Sequence, residues 1–443
     1  MAPRTLVTVR EFARLTTGTV QPTLDQASVS DSAFDYLCRL AAGFRSNGAT
    51  LLQVESRQWL RLDGYVGVIE TPCGTTVEIL PKHVDGLGEH VVGDARALLR
   101  KLLGRALDLP VREVGEAAIE RFNFPLTEWV MNRFLLALER VVRRGVRSDY
   151  VRLEETQRFL RGRLDLTRQL RQPPGRDHIF NIRHDVYLHD RPENRLLKSA
   201  LTKVCDCSER PDNWRLAREL LALFVEIPRS RDSVSDFRAW RSDRLMAHYA
   251  DARPWCELVL GQQMPLSLAG PTHGLSFMFP MDRLFERTVA NRLRRSLNPD
   301  TRLIEQSTRH ALCTHLEKEK FTLKPDMLLE ASGRQSVVLD AKWKRIDESL
   351  ADKNYGLAQA DFYQLFAYAH KYQGGRGDLA LIYPRTELFT RPLAPFQLGT
   401  GLNLWVLPFD LEAEIVLWPE EGSASGFLPL SGRAPGLPVY RRA

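Results

Sequence analysis

The stretch from Lys324 to Trp343, KPDMLLEASGRQSVVLDAKW, decides the fold of the carboxyl-terminal part of the chain. Two short apolar runs, MLL and VVL, flank a turn-like ASGR segment, and this pattern predicts a hairpin of two buried strands. Such a hairpin brings Asp326 and Asp340 face to face. Because side chains alternate along a strand, Lys342 points to the same side as Asp340. Two carboxylates held together at strand ends are able to bind Mg2+ or Mn2+.

Helices and a further strand are predicted around this hairpin. Residues 281–295 have apolar side chains at helical spacing and include Glu286, a third candidate carboxylate. After the hairpin, residues 361–368 predict a helix that carries Gln364 and Tyr368 one turn apart on the same side. The apolar run DLALIY that follows predicts another strand. The expected order is therefore helix, three strands, helix, strand.

This order, with these residue types at these points, resembles the PD-(D/E)xK nuclease superfamily, in the branch that has a Gln-xxx-Tyr element after the lysine. An isolated Asp-x-Lys triplet is unspecific, because a chain in which 26% of residues are charged contains such triplets by chance. Five positions agree in type and order, which makes the resemblance specific. It implies hydrolysis of DNA phosphodiester bonds by a metal-dependent site.

The resemblance also implies a set of metal ligands. Asp326 and Asp340 are expected to ligate Mg2+, with Mn2+ as a possible substitute, and the backbone carbonyl of Ala341 is expected to be a third oxygen donor. Glu286 is expected either to reach the metal through water or to bind a second ion. One metal ion and two metal ions therefore both remain open.

The remaining site residues are expected to act on the substrate. By the resemblance, Lys342 orients the attacking water or holds the scissile phosphate as a point charge. Gln364 is expected to orient a phosphate or the water, with Tyr368 packed beneath it. Lys344 and Arg345 continue a basic edge, for which contact with the DNA backbone and simple solvation are equally compatible.

Other segments narrow the family. Their sequences are similar to those of McrC, the nuclease subunit of the McrBC modified-cytosine restriction systems, and they occur in patches from about Leu60 to about Pro384. These segments are LDGYVGVI from Leu62, VEILPK from Val77, RRGVRSDY from Arg143, LRGRLD from Leu160, RPENRLLK from Arg191 and MDRLFE from Met281.

The McrC resemblance implies a partner. In that family a hexameric AAA+ GTPase, McrB, binds and moves on double-stranded DNA, and McrC stimulates its hydrolysis of GTP. The chain contains no Gly-Lys pair and therefore no conventional phosphate-binding loop, so GTP is expected on the partner and not on this chain. No zinc finger or helix-turn-helix pattern is evident, and recognition of modified cytosine is therefore also expected on the partner.

The fold class predicted from these patterns is a multidomain α+β protein. Residues 1–125 are expected to form a β-rich, partner-docking domain and residues 126–270 a mainly helical middle region. Residues 271–443 are expected to form the PD-(D/E)xK domain, a mixed sheet flanked by helices, with a carboxyl-terminal extension. The arginine-rich stretch from Arg140 to Arg152 could contact DNA or a partner, or be a solvated helix end and loop.

The composition is that expected of a DNA-binding enzyme, but it is not specific to this class. The net charge is +7 and the pI is about 9.1, which favours approach to a phosphate backbone but is common among soluble proteins. The six cysteines lack a paired metal-ligand spacing, and no segment has the apolar length of a signal peptide core or membrane span. A soluble, cytoplasmic protein without membrane partners is expected.

Two other functions remain open at this point. One is a self-sufficient nuclease or repair factor with the same core, and the other is a non-catalytic scaffold that activates a partner. The intact set of Asp326, Asp340, Lys342 and Gln364 argues against the scaffold, because a buried cluster of acids and a lysine is costly unless it is paired or bound to metal.

Overall fold

The computed structural model describes residues 5–45, 51–83, 89–107, 125–176, 178–261, 276–333 and 335–419. These residues form two compact units. The first unit contains those within 1–6, 68–77 and 120–277, and the second contains those within 7–67, 78–119 and 278–443. The predicted boundary near residue 270 and the proline-rich end after Glu420 lie outside the described residues. The division into 1–125, 126–270 and 271–443 stays a prediction.

Short strands dominate the first 80 residues. They are β1 (Thr5–Arg10), β2 (Arg14–Thr16), β3 (Gln26–Ser28), β4 (Leu52–Val54), β5 (Trp59–Leu62), β6 (Tyr65–Glu70) and β7 (Thr75–Leu80). Strands β3, β2, β5 and β4 form a sheet in that order. The helices are α1 (Asp31–Arg45) and α2 (Glu89–Ala106). The β-like runs 51–55, 65–70 and 75–80 predict β4, β6 and β7, and the pattern near 95–107 predicts a helix that overlaps α2. The sequence patterns do not predict the other four strands or α1, although the buried Ala33, Leu37 and Ala41 of α1 recur every four residues.

The middle region contains the predicted helices. They are α3 (Leu126–Arg144), α4 (Leu166–Leu170), α5 (Pro192–Cys207), α6 (Pro211–Ala222), α7 (Ser233–Ala239) and α8 (Arg253–Leu260). The apolar stripe of α5 is fully buried, and Trp129 of α3 packs edge-to-face on Trp255 of α8 with ring centroids 5.3 Å apart. These stripes are therefore core, as their helical spacing indicates.

A three-stranded sheet, which the sequence patterns do not predict, interrupts these helices. Strands β8 (Asp149–Gln157), β9 (Arg163–Leu164) and β10 (Phe180–Leu188) lie in the order β8-β10-β9. Of the arginine-rich stretch from Arg140 to Arg152, residues 140–144 end α3 and residues 149–152 begin β8. Few of these strand residues are buried. The strands are instead joined by cross-strand ion pairs, such as Arg183 with Glu154 at 3.0 Å, in place of the alternating apolar residues that are typical of a strand.

The carboxyl-terminal part forms a larger mixed sheet. The elements of this part of the chain are β11 (Phe277–Pro280), α9 (Met281–Ser296), β12 (Thr301–Glu305), β13 (Ala311–His315), β14 (Lys318–Thr322), β15 (Met327–Ala331), β16 (Val337–Ala341), α10 (Gln359–Gln373), β17 (Gly377–Pro384), β18 (Phe396–Gly399), β19 (Leu402–Asp410) and β20 (Ile415–Val416). The strand order is β12-β15-β16-β17-β19-β18, with β20 on β19. A separate four-stranded sheet has the order β1-β7-β6-β11, and β13 pairs with β14. The α+β class is confirmed.

Helix α10 makes the crossover that a parallel pair of strands requires. Strand β15 pairs antiparallel with β16, whereas β16 and β17 run parallel, and α10 connects these last two. Leu365 and Ala369 of α10 are fully buried in a cluster with Val338, Leu379 and Leu381 of the two strands. Burial of each leucine or valine side chain in this cluster contributes roughly 1.5–3 kcal/mol. This packing fixes α10 over the strand that contains Asp340.

Two further observations concern membrane spans and the cysteines. In the described ranges, none of the helices has the length and apolarity needed to cross a bilayer. All six cysteines are free thiols.

Candidate active site

Asp326 and Asp340 meet at one end of the β15–β16 hairpin. Asp326 directly precedes β15, and the pairing of Met327 with Leu339 places it beside Asp340 near the end of β16. The Ala341 backbone N–H donates to Asp326 Oδ2 at 3.0 Å. Since every residue of β16 is buried, Asp340 is only 1% exposed. The hairpin thus places two carboxylates together in a poorly solvated position.

Burial and neighbouring carboxylates raise the pKa of both aspartates. Desolvation by burial, followed by the Glu286 charge, raises the pKa of Asp326 to about 6. Desolvation, followed by the charge of Asp326, raises the pKa of Asp340 to about 7. Asp340 Oδ1 is buried without a hydrogen-bond partner among the residues that the structure describes. In the absence of a cation, Asp340 is therefore about half protonated near pH 7.

Lys342 lies on the same side as Asp340, as strand alternation predicts. Its Nζ is 2.6 Å from Asp340 Oδ2 and donates to Gln364 Oε1 at 3.4 Å. Burial disfavours the ammonium, but the charge and contact of Asp340 outweigh burial and raise the Lys342 pKa. The lysine is therefore a fixed positive charge beside the two carboxylates.

Gln364 and Tyr368 connect the lysine to the loop before Asp326. Gln364 Nε2 donates to the Tyr368 hydroxyl at 2.8 Å, and that hydroxyl donates to the Lys324 backbone carbonyl at 3.1 Å. One turn of α10 separates Gln364 from Tyr368, so both groups reach the site from a single helix face. Tyr368 is buried and Gln364 is exposed, which leaves the amide accessible to a ligand.

Glu286 reaches the site from α9, but its carboxylate is bonded to other side chains. Oε1 accepts from Gln306 Nε2 at 2.5 Å, and Oε2 accepts from an Arg283 guanidinium nitrogen at 3.3 Å. Burial raises the Glu286 pKa, and the negative charge of Asp340 acts in the same direction. Helix α9 thereby adds a third acidic group without direct contact with the lysine.

Gln306 is a site residue that the sequence patterns do not identify. Its Nε2 also donates to Asp326 Oδ1 at 3.2 Å, so one amide joins Asp326 to Glu286. Its backbone N–H donates to the Asp326 carbonyl at 3.1 Å, and its φ is +48°. The available signal was a polar residue directly after β12, which is too common to single out a site.

Asp361 is a second site residue that the sequence patterns do not identify. This buried carboxylate of α10 accepts from Lys344 Nζ at 3.0 Å and from the Tyr383 hydroxyl at 3.4 Å. Its charge contributes to the raised pKa of Asp340. Lys344 is thus ion-paired within the protein, although a role in DNA contact stays a prediction.

The donor set fits a hard divalent cation. Carboxylate oxygens suit Mg2+ and Mn2+, and Mg2+ is commonly held by one or two carboxylates while it keeps several waters. Among the residues that the structure describes, buried Asp340 Oδ1 has no hydrogen-bond partner, and such an ion would satisfy it. Among the described residues, no group of three His, Cys, Asp or Glu side chains is arranged to hold a metal. Asp326 and Asp340 are therefore the two residues that fit such a cation. The roles of Glu286 and the Ala341 carbonyl stay predictions.

Three comparisons relate the chain to known proteins. A family model described as McrBC 5-methylcytosine restriction system component matches residues 60–384. A half-complex of Thermococcus gammatolerans McrB AAA+ hexamers with bound McrC contains a similar chain, with 19% identity, a TM-score of 0.69, and coverage of 92% of this chain and 95% of that one. The cryo-EM structure of the Thermococcus gammatolerans McrBC complex has 20% identity, a TM-score of 0.51, and coverage of 66% and 88%. Curated proteins give no significant match. The structural likenesses show the fold.

Proposed function

Because the chain belongs to the family of McrBC 5-methylcytosine restriction system components, we propose that it is the nuclease subunit of such a system. In this proposal it is a Mg2+-dependent DNA endonuclease that works with an McrB-like AAA+ GTPase and stimulates its GTP hydrolysis. The observation that carries the proposal is the meeting of Asp326, Asp340 and Lys342 at one strand end, with Gln364 beside them.

The aspartates provide a place for a cation that would stabilise their charge. Asp326 and Asp340 would hold Mg2+, which when bound supplies Lewis acidity toward the phosphate and lowers the pKa of water. Because the pKa of Asp340 is about 7, cation binding near neutral pH would release the fraction of a proton that this residue retains. The Ala341 carbonyl and Glu286 are the further oxygen donors proposed near the pair.

Lys342 and Gln364 act on the reacting phosphate and water. The Lys342 ammonium is held 2.6 Å from Asp340 and would orient a water or stabilise the negative charge that develops on the phosphate. Gln364 has an exposed amide whose oxygen accepts from Lys342. Its position is fixed by Tyr368, so it would orient a phosphate oxygen or the water without moving during the reaction.

The partner and the DNA substrate follow from the family and from what the sequence lacks. A chain without a Gly-Lys pair does not form the conventional phosphate loop, so the nucleotide would be bound by the partner. The chain of similar fold in the Thermococcus complex is in an assembly with McrB AAA+ hexamers. We therefore expect a hexameric McrB-like GTPase as partner and double-stranded DNA as substrate.

The test is cleavage of plasmid DNA carrying 5-methylcytosine with Mg2+, with and without the genomically adjacent AAA+ protein and GTP. Wild type is compared with Asp340→Ala and with Lys371→Ala, a control that removes an exposed lysine from α10. Cleavage only with the partner and GTP, lost in Asp340→Ala and kept in Lys371→Ala, supports the proposal. Cleavage by the chain alone would favour a self-sufficient nuclease. Stimulated GTP hydrolysis without any cleavage would instead indicate an activating scaffold.

A further inference from the structure

Trp343 directly follows the proposed active-site lysine and is held by residues from the start of the chain. It is 2% exposed and points away from Lys342, as neighbours on an extended segment do. Its indole Nε1 donates to Glu11 Oε1 at 2.7 Å. The His83 ring packs on the indole with centroids 3.8 Å apart, and burial holds the pKa of His83 well below its usual value, so this ring is neutral.

Glu11 is an unusual residue to find at this position. It is 2% exposed, and its Oε1 also accepts from the Lys82 backbone N–H at 3.0 Å. Its Oε2 is buried without a hydrogen-bond partner among the described residues. Burial raises the Glu11 pKa, whereas the Lys82 charge acts in the opposite direction. Burying a carboxylate is costly, and an apolar side chain would avoid that cost but would lose both hydrogen bonds.

Lys82 holds the backbone of the same tryptophan. Its Nζ donates to the Trp343 carbonyl at 3.4 Å and lies 4.5 Å from the centroid of the Phe12 ring. Trp343 is therefore held through its side chain by Glu11 and His83 and through its backbone by Lys82. We refer to Glu11, Lys82 and His83 as the amino-terminal clamp.

Lys342 is the first residue after the end of strand β16. Strand β16 ends at Ala341, and the Lys342 N–H donates to the Ile382 carbonyl of β17 at 2.9 Å. Residues 343–347 have no regular secondary structure. The direction of the lysine side chain therefore depends on how the following residue is held. Asp282 gives an electrostatic connection as well, because burial raises its pKa and the charges of Lys82 and Lys342 both oppose this rise.

We propose that Glu11 is a positioning residue which, through Trp343, holds Lys342 against Asp340, so that the amino-terminal clamp governs the alignment of the cutting site. This inference rests on the proposed nuclease function for its consequence but not for its geometry. A displacement of the amino-terminal segments would release Trp343 and with it the lysine. The region proposed to dock with the partner would then influence cleavage through two hydrogen bonds to one residue.

The first test compares cleavage by variants that remove or keep the hydrogen bond, in the presence of the partner and GTP. Glu11→Leu removes the acceptor, Trp343→Phe removes the donor, and Glu11→Gln keeps an acceptor. Leu60→Ala is the control for general destabilisation, because Leu60 is fully buried in β5 and has no role in the clamp. All assays are made well below each variant's melting temperature.

We expect kcat to fall about 10-fold to 100-fold in Glu11→Leu and Trp343→Phe, since a displacement near 1 Å from a productive geometry has an effect of this size. Glu11→Gln should stay within about threefold of wild type, and the double variant should be no worse than the poorer single variant. Equal cleavage by all variants, or a similar loss in Leu60→Ala, would overturn the inference.

The second test does not require cleavage. Trace acetylation followed by peptide mass spectrometry measures the reactivity of the Lys342 amine, which its ion pair with Asp340 suppresses. Glu11→Leu and Trp343→Phe should increase Lys342 acetylation at least about threefold, whereas Glu11→Gln and Leu60→Ala should not. Lys371, exposed on α10, is the internal reference. If wild type does not cut DNA, the proposed function fails, but unchanged Lys342 reactivity in every variant is what would refute the clamp.

Discussion

Two clusters of buried charge in this chain are compensated in different ways. In the middle region, Arg191 donates to Glu193 at 3.2 Å and forms an ion pair with Asp149 at 2.7 Å. The second Glu193 oxygen accepts from the Arg241 backbone N–H at 2.9 Å. Asn194 donates to two backbone carbonyls and accepts from a buried tyrosine hydroxyl. Each charge in this cluster meets an opposite charge or a hydrogen-bond donor.

The cluster at the end of the β15–β16 hairpin lacks this balance. Asp326, Asp340 and Glu286 bring three carboxylates near one lysine, and the pKa of each carboxylate is raised by burial. One oxygen of Asp340 is buried without a hydrogen-bond partner in the described part of the chain. Both clusters come from family-like motifs, and the candidate cation site differs from the other in having two neighbouring carboxylates whose charge is incompletely compensated.

The largest expected effect is on catalysis. Asp340→Asn should reduce DNA cleavage by about 10³-fold or more, because the loss of several kcal/mol of charge stabilisation corresponds to such a factor. Glu193→Gln, a matched change in the balanced cluster, should leave the cleavage rate per folded molecule within about threefold of wild type. A gel assay of plasmid cleavage at a temperature where both variants are folded measures the difference. Comparable losses in the two variants would break the comparison.

Stability should change in opposite directions in the same two variants. Glu193→Gln removes one partner of a buried ion pair and should lower the free energy of unfolding by about 3 kcal/mol. Asp340→Asn relieves a carboxylate whose pKa is raised to about 7, and should raise the stability of the metal-free protein by about 1–3 kcal/mol at pH 8. Urea unfolding in the presence of EDTA tests both values. If both variants are destabilised, Asp340 is compensated within the protein after all.

Gln306 sharpens the comparison, because its amide joins Asp326 to Glu286. Gln306→Ala should weaken Mn2+ binding about 10-fold to 100-fold, the usual effect of losing a group that orients metal ligands. Gln335→Ala is the matched control, since its amide donates to the Gln373 carbonyl away from the aspartates. Titration calorimetry of both variants gives the affinities. An unchanged Mn2+ affinity in Gln306→Ala would assign the glutamine a purely structural role.

The smallest effect expected is the dependence of stability on pH. Asp326 and Asp340 have pKa values of about 6 and 7, above the value of about 3.9 in the unfolded chain. Between pH 4 and pH 7 the folded, metal-free protein therefore binds more protons than the unfolded chain, and these groups lower its stability as the pH rises. The stability difference between Asp340→Asn and wild type should grow by about 1–3 kcal/mol across this window. A constant difference would contradict the raised pKa values.

The parts of the site that sequence patterns predict are those fixed by local contacts. The hairpin, α9 and α10 each have a periodic apolar pattern, and strand alternation is sufficient to place Lys342 beside Asp340. Glu11 meets Trp343 across 332 positions of the chain, a contact that no local pattern contains. Gln306 has a positive φ, which a single sequence does not reveal.

The sheet of the middle region shows a second limit of sequence patterns. Strands β8 and β10 pair over nine residues, but most of their side chains are at least partly exposed. Their cross-strand pairs are charged, so the period-two apolar signal of a half-buried strand is weak. In the sequence, the charged residues at the start of β8 follow a predicted helix, and they therefore resemble the solvated end of that helix.

The most direct test of the central claim is a calorimetric titration of Mn2+ into the metal-free wild type, Asp340→Asn and Glu193→Gln at pH 7.5. An incompletely compensated carboxylate pair predicts saturable binding to wild type and Glu193→Gln, with proton release, and no detectable binding to Asp340→Asn. Binding of equal strength to wild type and Asp340→Asn, or none to any of the three, would contradict a cation site at the end of this hairpin.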